Sequence, residues 1–225
     1  KKIEEKITSK TRAIIVVHFS GHPVDLEPII KIAKKNNIYV ISDAAHAPGA
    51  EYKMKKVGSI EDLAAYSFYT QKNMSTLGEG GMVVANNNEI MDRIKLYQNH
   101  GVLYNQSNSP QKNLRPWYRD CVQVGYNYRM SEGQAAIGIS QLSKLEKLNN
   151  KRKQLASYYS QLLRSVNGIT IPTEKKYAKS SWHFYVIKIE KSFGLNRDDV
   201  FHKLKKLGVQ TNVHYTPVHL FKPYK

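Results

Sequence analysis

The chain has 225 residues, 41% of them hydrophobic and 10% aromatic, enough to bury a core in one large domain or two modest ones. Its 35 Lys and Arg against 18 Asp and Glu give a formal charge of +17, but the lysines come in scattered pairs such as Lys34-Lys35 and Lys205-Lys206. No arginine-rich arm, zinc finger or aromatic RNA-binding signature accompanies them, so the charge reads as a lysine-rich surface and no nucleic-acid partner is expected. One cysteine, Cys121, excludes an intrachain disulfide framework, and no apolar run approaches the ~20 residues of a membrane span. With no signal peptide visible, the expectation is a cytoplasmic protein that does not engage a membrane.

Residues 13–18 are a continuous apolar, β-branched run and read as a buried strand. Gly21-His22-Pro23 is a turn, and Asp25 is placed to cap a helix over 26–36 that carries Leu26, Ile29, Ile30 and Ala33 on one face. Residues 38–42 form a second buried strand, completing a parallel strand–helix–strand unit. Strand-like runs follow at 64–69 and 81–85, then a helix at about 89–98. Residues 100–125 are polar and irregular, with Asn105, Asn108, Pro110 and Pro116, the texture of a functional loop.

A long helix, or two in line, is expected over 131–165 from a Ser131 cap, with an apolar stripe of Ala135, Ala136, Ile139, Leu142, Leu145 and Leu148. From residue 180 the texture changes to a half-exposed strand at 182–189, a helix over 197–207 and a strand near 209–213. The expected organisation is therefore an α/β domain over 1–145, built on a mostly parallel sheet, and a smaller α+β domain over 146–225.

Ligands of open α/β sheets bind outside the carboxyl ends of the strands. Asp43 directly follows strand 38–42, and Lys72 follows strand 64–69 after a short loop, so both fall on one rim if the strands are parallel. A carboxylate and an amine so placed are what pyridoxal 5′-phosphate (PLP) requires. The acid keeps the pyridine nitrogen protonated, and the lysine takes the aldehyde as a Schiff base. Ser67, five residues before Lys72, could hold a phosphate oxygen, and Gly78, Gly80 and Gly81 give a loop that can approach closely. Each residue also has an ordinary reading, as a turn aspartate, a surface lysine or a strand serine.

Five blocks in order carry a resemblance: Asp43-Ala-Ala-His46, Ser67-Phe-Tyr-Thr-Gln-Lys72-Asn, Gly78-Glu-Gly-Gly81, Asn99-His100-Gly101 and Gly125-Tyr-Asn-Tyr-Arg-Met130. From about residue 10 to 220 the chain resembles the DegT/DnrJ/EryC1/StrS family of PLP-dependent aminotransferases acting on nucleotide-linked keto-sugars. The resemblance implies a fold-type I transferase, with Asp43 as partner of the pyridine nitrogen and His46 on the cofactor ring. It likewise implies Ser67 on the phosphate and Lys72 as the Schiff-base lysine. Asn127 is similar to the asparagine that reaches the neighbouring subunit's phosphate, which implies a homodimer with shared sites. Asn212–His219 resembles the segment that approaches the sugar nucleotide, making His214 and Tyr215 candidate substrate contacts.

The family's upstream phosphate-binding segment and stacking aromatic have no counterpart here, and the chain ends soon after His219. It therefore reads as an internal fragment whose large domain is incomplete at the N-terminus. The expected reaction is amine transfer, from glutamate as donor, to a keto group on a nucleotide-activated sugar. Its lysine argues against the family branch that carries histidine there and dehydrates. The competing readings are a non-catalytic or regulatory PLP-fold relative and a basic nucleic-acid binder.

Overall fold

The computed structural model describes residues 2–103, 117 and 119–224. In chain order the elements are β1 (Ala13–Val17), α1 (Leu26–Asn36), β2 (Tyr39–Asp43), β3 (Glu51–Tyr52), β4 (Lys55–Lys56), β5 (Leu63–Ser67), β6 (Gly81–Ala85) and α2 (Asn88–Gln98). They continue with β7 (Val102–Leu103), β8 (Asp120–Cys121), α3 (Glu132–Leu163), β9 (Ile169–Thr170), β10 (Ala178–Lys179), β11 (Lys188–Ile189) and α4 (Arg197–Lys206). The α/β class is as the sequence implies. The principal sheet has the order β1-β2-β5-β6, with β1, β2 and β5 parallel and β6 antiparallel.

Two compact units make up the chain: Lys1–Ala156 with Glu174–Phe184, and Ser157–Thr173 with Tyr185–Lys225. In the first unit, α1 covers one face of the sheet. Val16 and Val40 pack there with Leu26, Ala33 and Tyr52, and this is the largest apolar core. Side chains alternate along a strand, so the residues between them point to the opposite face. There Ile15, Val17 and Tyr39 are exposed. A second cluster of small residues, Ala44, Ala47, Ala50, Val57 and Ala64, sits under the turn that follows β2. A third joins Phe68 and Met74 of the β5–β6 connection to Leu145 of α3.

The second unit contains β9 paired antiparallel with β11, and α4, whose Asn196 side chain accepts the N–H groups of Asp198 and Asp199 at 2.9 Å each. Such a cap satisfies donors that a helix start leaves open.

Several local expectations need correction. Asp25 precedes α1 but its carboxylate does not cap it; Asp25 Oδ1 instead accepts the Tyr52 hydroxyl at 2.6 Å. Of 182–189 only Lys188–Ile189 joins a ladder. The N–H groups of Ser181 and His183 are drawn to the carbonyls of Gly21 and Ser20 instead. Residues 209–213 form no strand, because no neighbouring segment pairs with them.

α3 is one helix, and Ser131 does cap it: Ser131 Oγ accepts Gln134 N–H at 3.3 Å while Gln134 Oε1 accepts Ser131 N–H at 3.2 Å. Its expected stripe is only partly buried, with Leu145 inside but Ile139 and Leu142 exposed. Asn105, Asn108, Pro110 and Pro116 of the 100–125 loop lie outside the described residues.

Candidate active site

The register of the sheet assembles the site. Val17 pairs with Asp43, Asp43 with Ala65 and Ala65 with Val83, so these four form one row on the face that α1 leaves open. Asp43 is the last residue of β2, and its Oδ1 accepts the N–H of Ala45 at 3.0 Å, which fixes the carboxylate at the start of the turn. Ser67 ends β5 two residues beyond Ala65, on the same face, and its Oγ accepts the N–H of Tyr69 at 3.3 Å. From strand spacing alone, the Asp43 and Ser67 backbones lie roughly 8 Å apart, a span that one small molecule can bridge.

Lys72 lies on the connection that turns β5 into β6. Backbone bonds close this loop: Phe68 N–H to Gly80 C=O at 2.8 Å, Lys72 N–H to Tyr69 C=O at 2.9 Å and Thr76 N–H to Phe68 C=O at 3.1 Å. Gly80 is required by packing, since a Cβ there would stand 2.0 Å from Thr76 Oγ1. Burial pushes the Lys72 amine below the usual lysine range, and the Asp43 carboxylate opposes that shift.

His46 follows in the turn after β2. Its Nδ1 accepts Ser20 N–H at 3.3 Å, and its ring lies 4.3 Å from that of His183 and 5.2 Å from that of Phe184. The structure thus gathers Asp43, His46, Ser67 and Lys72 from the carboxyl ends of β2 and β5. Asn127 belongs to another strip of the same unit. It bridges to Asn99, its Oδ1 accepts Arg129 Nε–H at 3.0 Å, and it is exposed; its sequence neighbours Tyr126 and Tyr128 stack their rings on each other. His214 and Tyr215 are in the second unit, both exposed, with ring centroids 4.4 Å apart.

Two buried polar clusters escape the sequence reading. In the first, His18 Nδ1 accepts Val24 N–H at 3.2 Å, so the ring proton sits on Nε2, which reaches Ser42 Oγ at 2.9 Å and Glu61 Oε1 at 3.1 Å. Ser42 also donates to Glu61 Oε1 at 2.8 Å, and Glu61 Oε2 accepts Gly58 N–H at 2.8 Å. Burial by itself would raise the Glu61 carboxyl. The bonds from His18, Ser42 and the backbone outweigh that effect and hold it at about 2. This cluster lies directly beneath the end of β2, since Ser42 is the inward neighbour of Asp43.

The second cluster links Asn73, Asn149 and His183. A signal for it was present, because Asn73 sits beside the candidate lysine, but its partners are 76 and 110 positions away.

The donor set fits PLP. A carboxylate and a hydroxyl share one face with Val17 and Ala65, and an amine depressed by burial stands on the loop that directly follows the hydroxyl's strand. Among the described residues no group of three or more His, Cys, Asp or Glu could hold a metal ion. No helix among them is long and apolar enough to cross a membrane.

A model of the DegT/DnrJ/EryC1/StrS aminotransferase family matches residues 1–225. The chain is 39% identical over its whole length to a UDP-4-amino-4,6-dideoxy-N-acetyl-beta-L-altrosamine transaminase of Campylobacter jejuni (serotype O:23/36), covering 58% of it. Its structure is similar to that of Helicobacter pylori PseC, an aminotransferase involved in the biosynthesis of pseudoaminic acid. The TM-score is 0.89 at 32% identity, over 99% of this chain and 57% of that one. It is also similar to the PLP-form of the putative sugar aminotransferase Spr1654 of Streptococcus pneumoniae, with TM-score 0.85, 27% identity, and 99% and 59% coverage. The chain spans a little over half the length of the curated relatives it matches.

Proposed function

We propose that this chain, which belongs to the DegT/DnrJ/EryC1/StrS aminotransferase family, carries the PLP-anchoring face of an enzyme that moves an amino group onto a nucleotide-activated keto-sugar. One observation carries the reading. Asp43 ends β2 and Ser67 ends the parallel β5 on one open face, and Lys72 lies on the loop that leaves β5 at that same rim. The names of the relatives support the substrate class, and glutamate is the proposed donor.

PLP, when bound, supplies an aldehyde that captures amines and a ring that withdraws electrons. Asp43 holds a proton on the ring nitrogen by placing a negative charge against it. Ser67 Oγ orients the phosphate end, two residues further along the same face. Lys72 Nζ is the attachment point. As a free amine it would carry a proton from the donor's α-carbon and later to the sugar carbon, work for which an amine depressed by burial is suited. His46 borders the ring. Because one site would serve amino donor and keto-sugar in turn, the expected kinetics are ping-pong.

Asn127 is proposed to reach the phosphate of a second copy's site, which makes the dimer part of the catalytic unit; its exposure supports this. His214 and Tyr215 are proposed sugar-nucleotide contacts, and the smaller C-terminal domain from about residue 146 is proposed to carry them.

The test is Lys72→Ala in the intact protein. Expected is loss of the absorption of protein-bound PLP and a fall in amine transfer from glutamate on the order of 10³-fold. Persistence of that absorption would overturn the assignment. A wild-type protein that stays colourless with added PLP would instead favour the non-catalytic relative.

A further inference from the structure

The second buried cluster fixes hydrogen positions by elimination. The carbonyl of Pro48 can only accept, so the group of Asn149 that meets it at 2.9 Å is the amide nitrogen. Asn149 Oδ1 is then turned to Asn73, where it accepts from Nδ2 at 2.9 Å. The carbonyl of Ser181, again only an acceptor, also takes Asn73 Nδ2 at 2.8 Å. Both orientations are settled, and Asn73 presents Oδ1 to His183 Nδ1 at 2.9 Å. An amide oxygen cannot donate, so the proton of that bond belongs to His183 Nδ1.

This relay is built, not incidental. Asn73 is 3% and Asn149 8% exposed. Gly49 admits it: a Cβ there would stand 2.7 Å from Asn149 Nδ2. The segment that delivers His183 is bent at Trp182, whose φ is 48°, a conformation costly for a bulky residue and maintained by its surroundings. His183 N–H is in turn bonded to the carbonyl of Ser20, itself at φ 62°.

We infer that His183 is a positioning residue for the site, with its proton fixed on Nδ1 by the relay Pro48–Asn149–Asn73. The relay has two outputs. Asn73 is the residue after Lys72, so anchoring its amide fixes the lysine's loop. The His183 ring packs against His46 at 4.3 Å and 30°, and His46 is set on its other side by Ser20 N–H at Nδ1. With Nδ1 accepting, the neutral His46 ring carries its proton on Nε2. The consequence for PLP binding rests on the function proposed above; the hydrogen assignment does not.

The primary measurement uses cofactor-free protein labelled with ¹⁵N-histidine. The imidazole nitrogens of His183 are expected to report a protonated Nδ1 in the wild type. Asn73→Leu is expected to abolish that preference. A His183 ring carrying its proton on Nε2 with a bare Nδ1 in the wild type overturns the proposal, and this outcome needs no variant to fold.

The second measurement follows PLP release by absorbance. His183→Phe keeps a ring but loses the donor, and is expected to weaken retention about tenfold. His183→Asn, whose amide can stand in for Nδ1–H, is expected to recover part of that loss. Equal retention in wild type and His183→Phe, both folded by thermal melting, also overturns it. Failure of the wild type to bind PLP would sink the proposed function while leaving the nitrogen assignment to be judged on its own.

Discussion

Asp43 keeps the amine of Lys72 protonated more readily than burial alone would allow, because an opposite charge favours the charged form. Replacing Asp43 by Asn removes that opposition and leaves burial acting alone. The Lys72 amine should then titrate lower still in the cofactor-free protein. Labelling of Lys72 by an amine-reactive probe as a function of pH, followed by mass spectrometry, measures this directly. An unchanged profile would mean that the two groups do not act on each other. Asp43 and Lys72 were both legible as residues, since each follows an apolar run and each has the chemistry the cofactor needs. His183 was not. Nothing near it in sequence marks it, and its significance arises from Asn73, 110 positions earlier.

At the scale of elements, the connection between β5 and β6 carries the lysine, and its shape depends on a glycine packed against a buried threonine. Gly80→Ala forces a Cβ within 2.0 Å of Thr76 Oγ1, and Thr76 is fully buried. Overpacking of this kind costs about 1–3 kcal/mol. Urea unfolding should show it, together with weaker PLP retention; unchanged stability and retention would contradict the described loop. The start of α3 offers a milder case. Ser131→Ala removes the side-chain oxygen that accepts Gln134 N–H, while the backbone bond to Gln134 Oε1 stays, and should lower stability by about 1 kcal/mol, read by thermal unfolding.

Strand existence was legible for β1, β2, β5 and β6, because each is a short apolar run bounded by turn residues and too short for a helix. The strand expected at 209–213 failed because an extended segment becomes a strand only when another segment meets its edge.

For the whole molecule, the Glu61 cluster ties stability to pH. The folded carboxyl titrates at about 2, below the ordinary value of 4.5 that an unfolded chain would show. Its contribution is thus fully present above about pH 4.5 and is lost as pH falls through about 2. The displacement corresponds to something on the order of 3 kcal/mol. Denaturant midpoints measured from pH 7 downward should fall in that acid window for the wild type. In Glu61→Gln they should be lower at neutral pH and less sensitive to acid. Parallel profiles for the two proteins would rule out the cluster as the source.

What the amino-acid order determined alone was local and chemical: the parallel α/β texture, the capped α3, and an ordered set of motifs specific enough to name a family. The first two follow from short-range propensity and alternation, which each stretch carries within itself, and the third from resemblance to a known family. Only the tertiary structure decided which face of the sheet stays open, that Asp43, Ser67 and Ala65 share it, and how Pro48, Asn149, Asn73 and His183 orient one another. Those facts depend on register and on bonds between residues far apart in the chain, and a buried amide or imidazole has no preferred direction until its partners are in place.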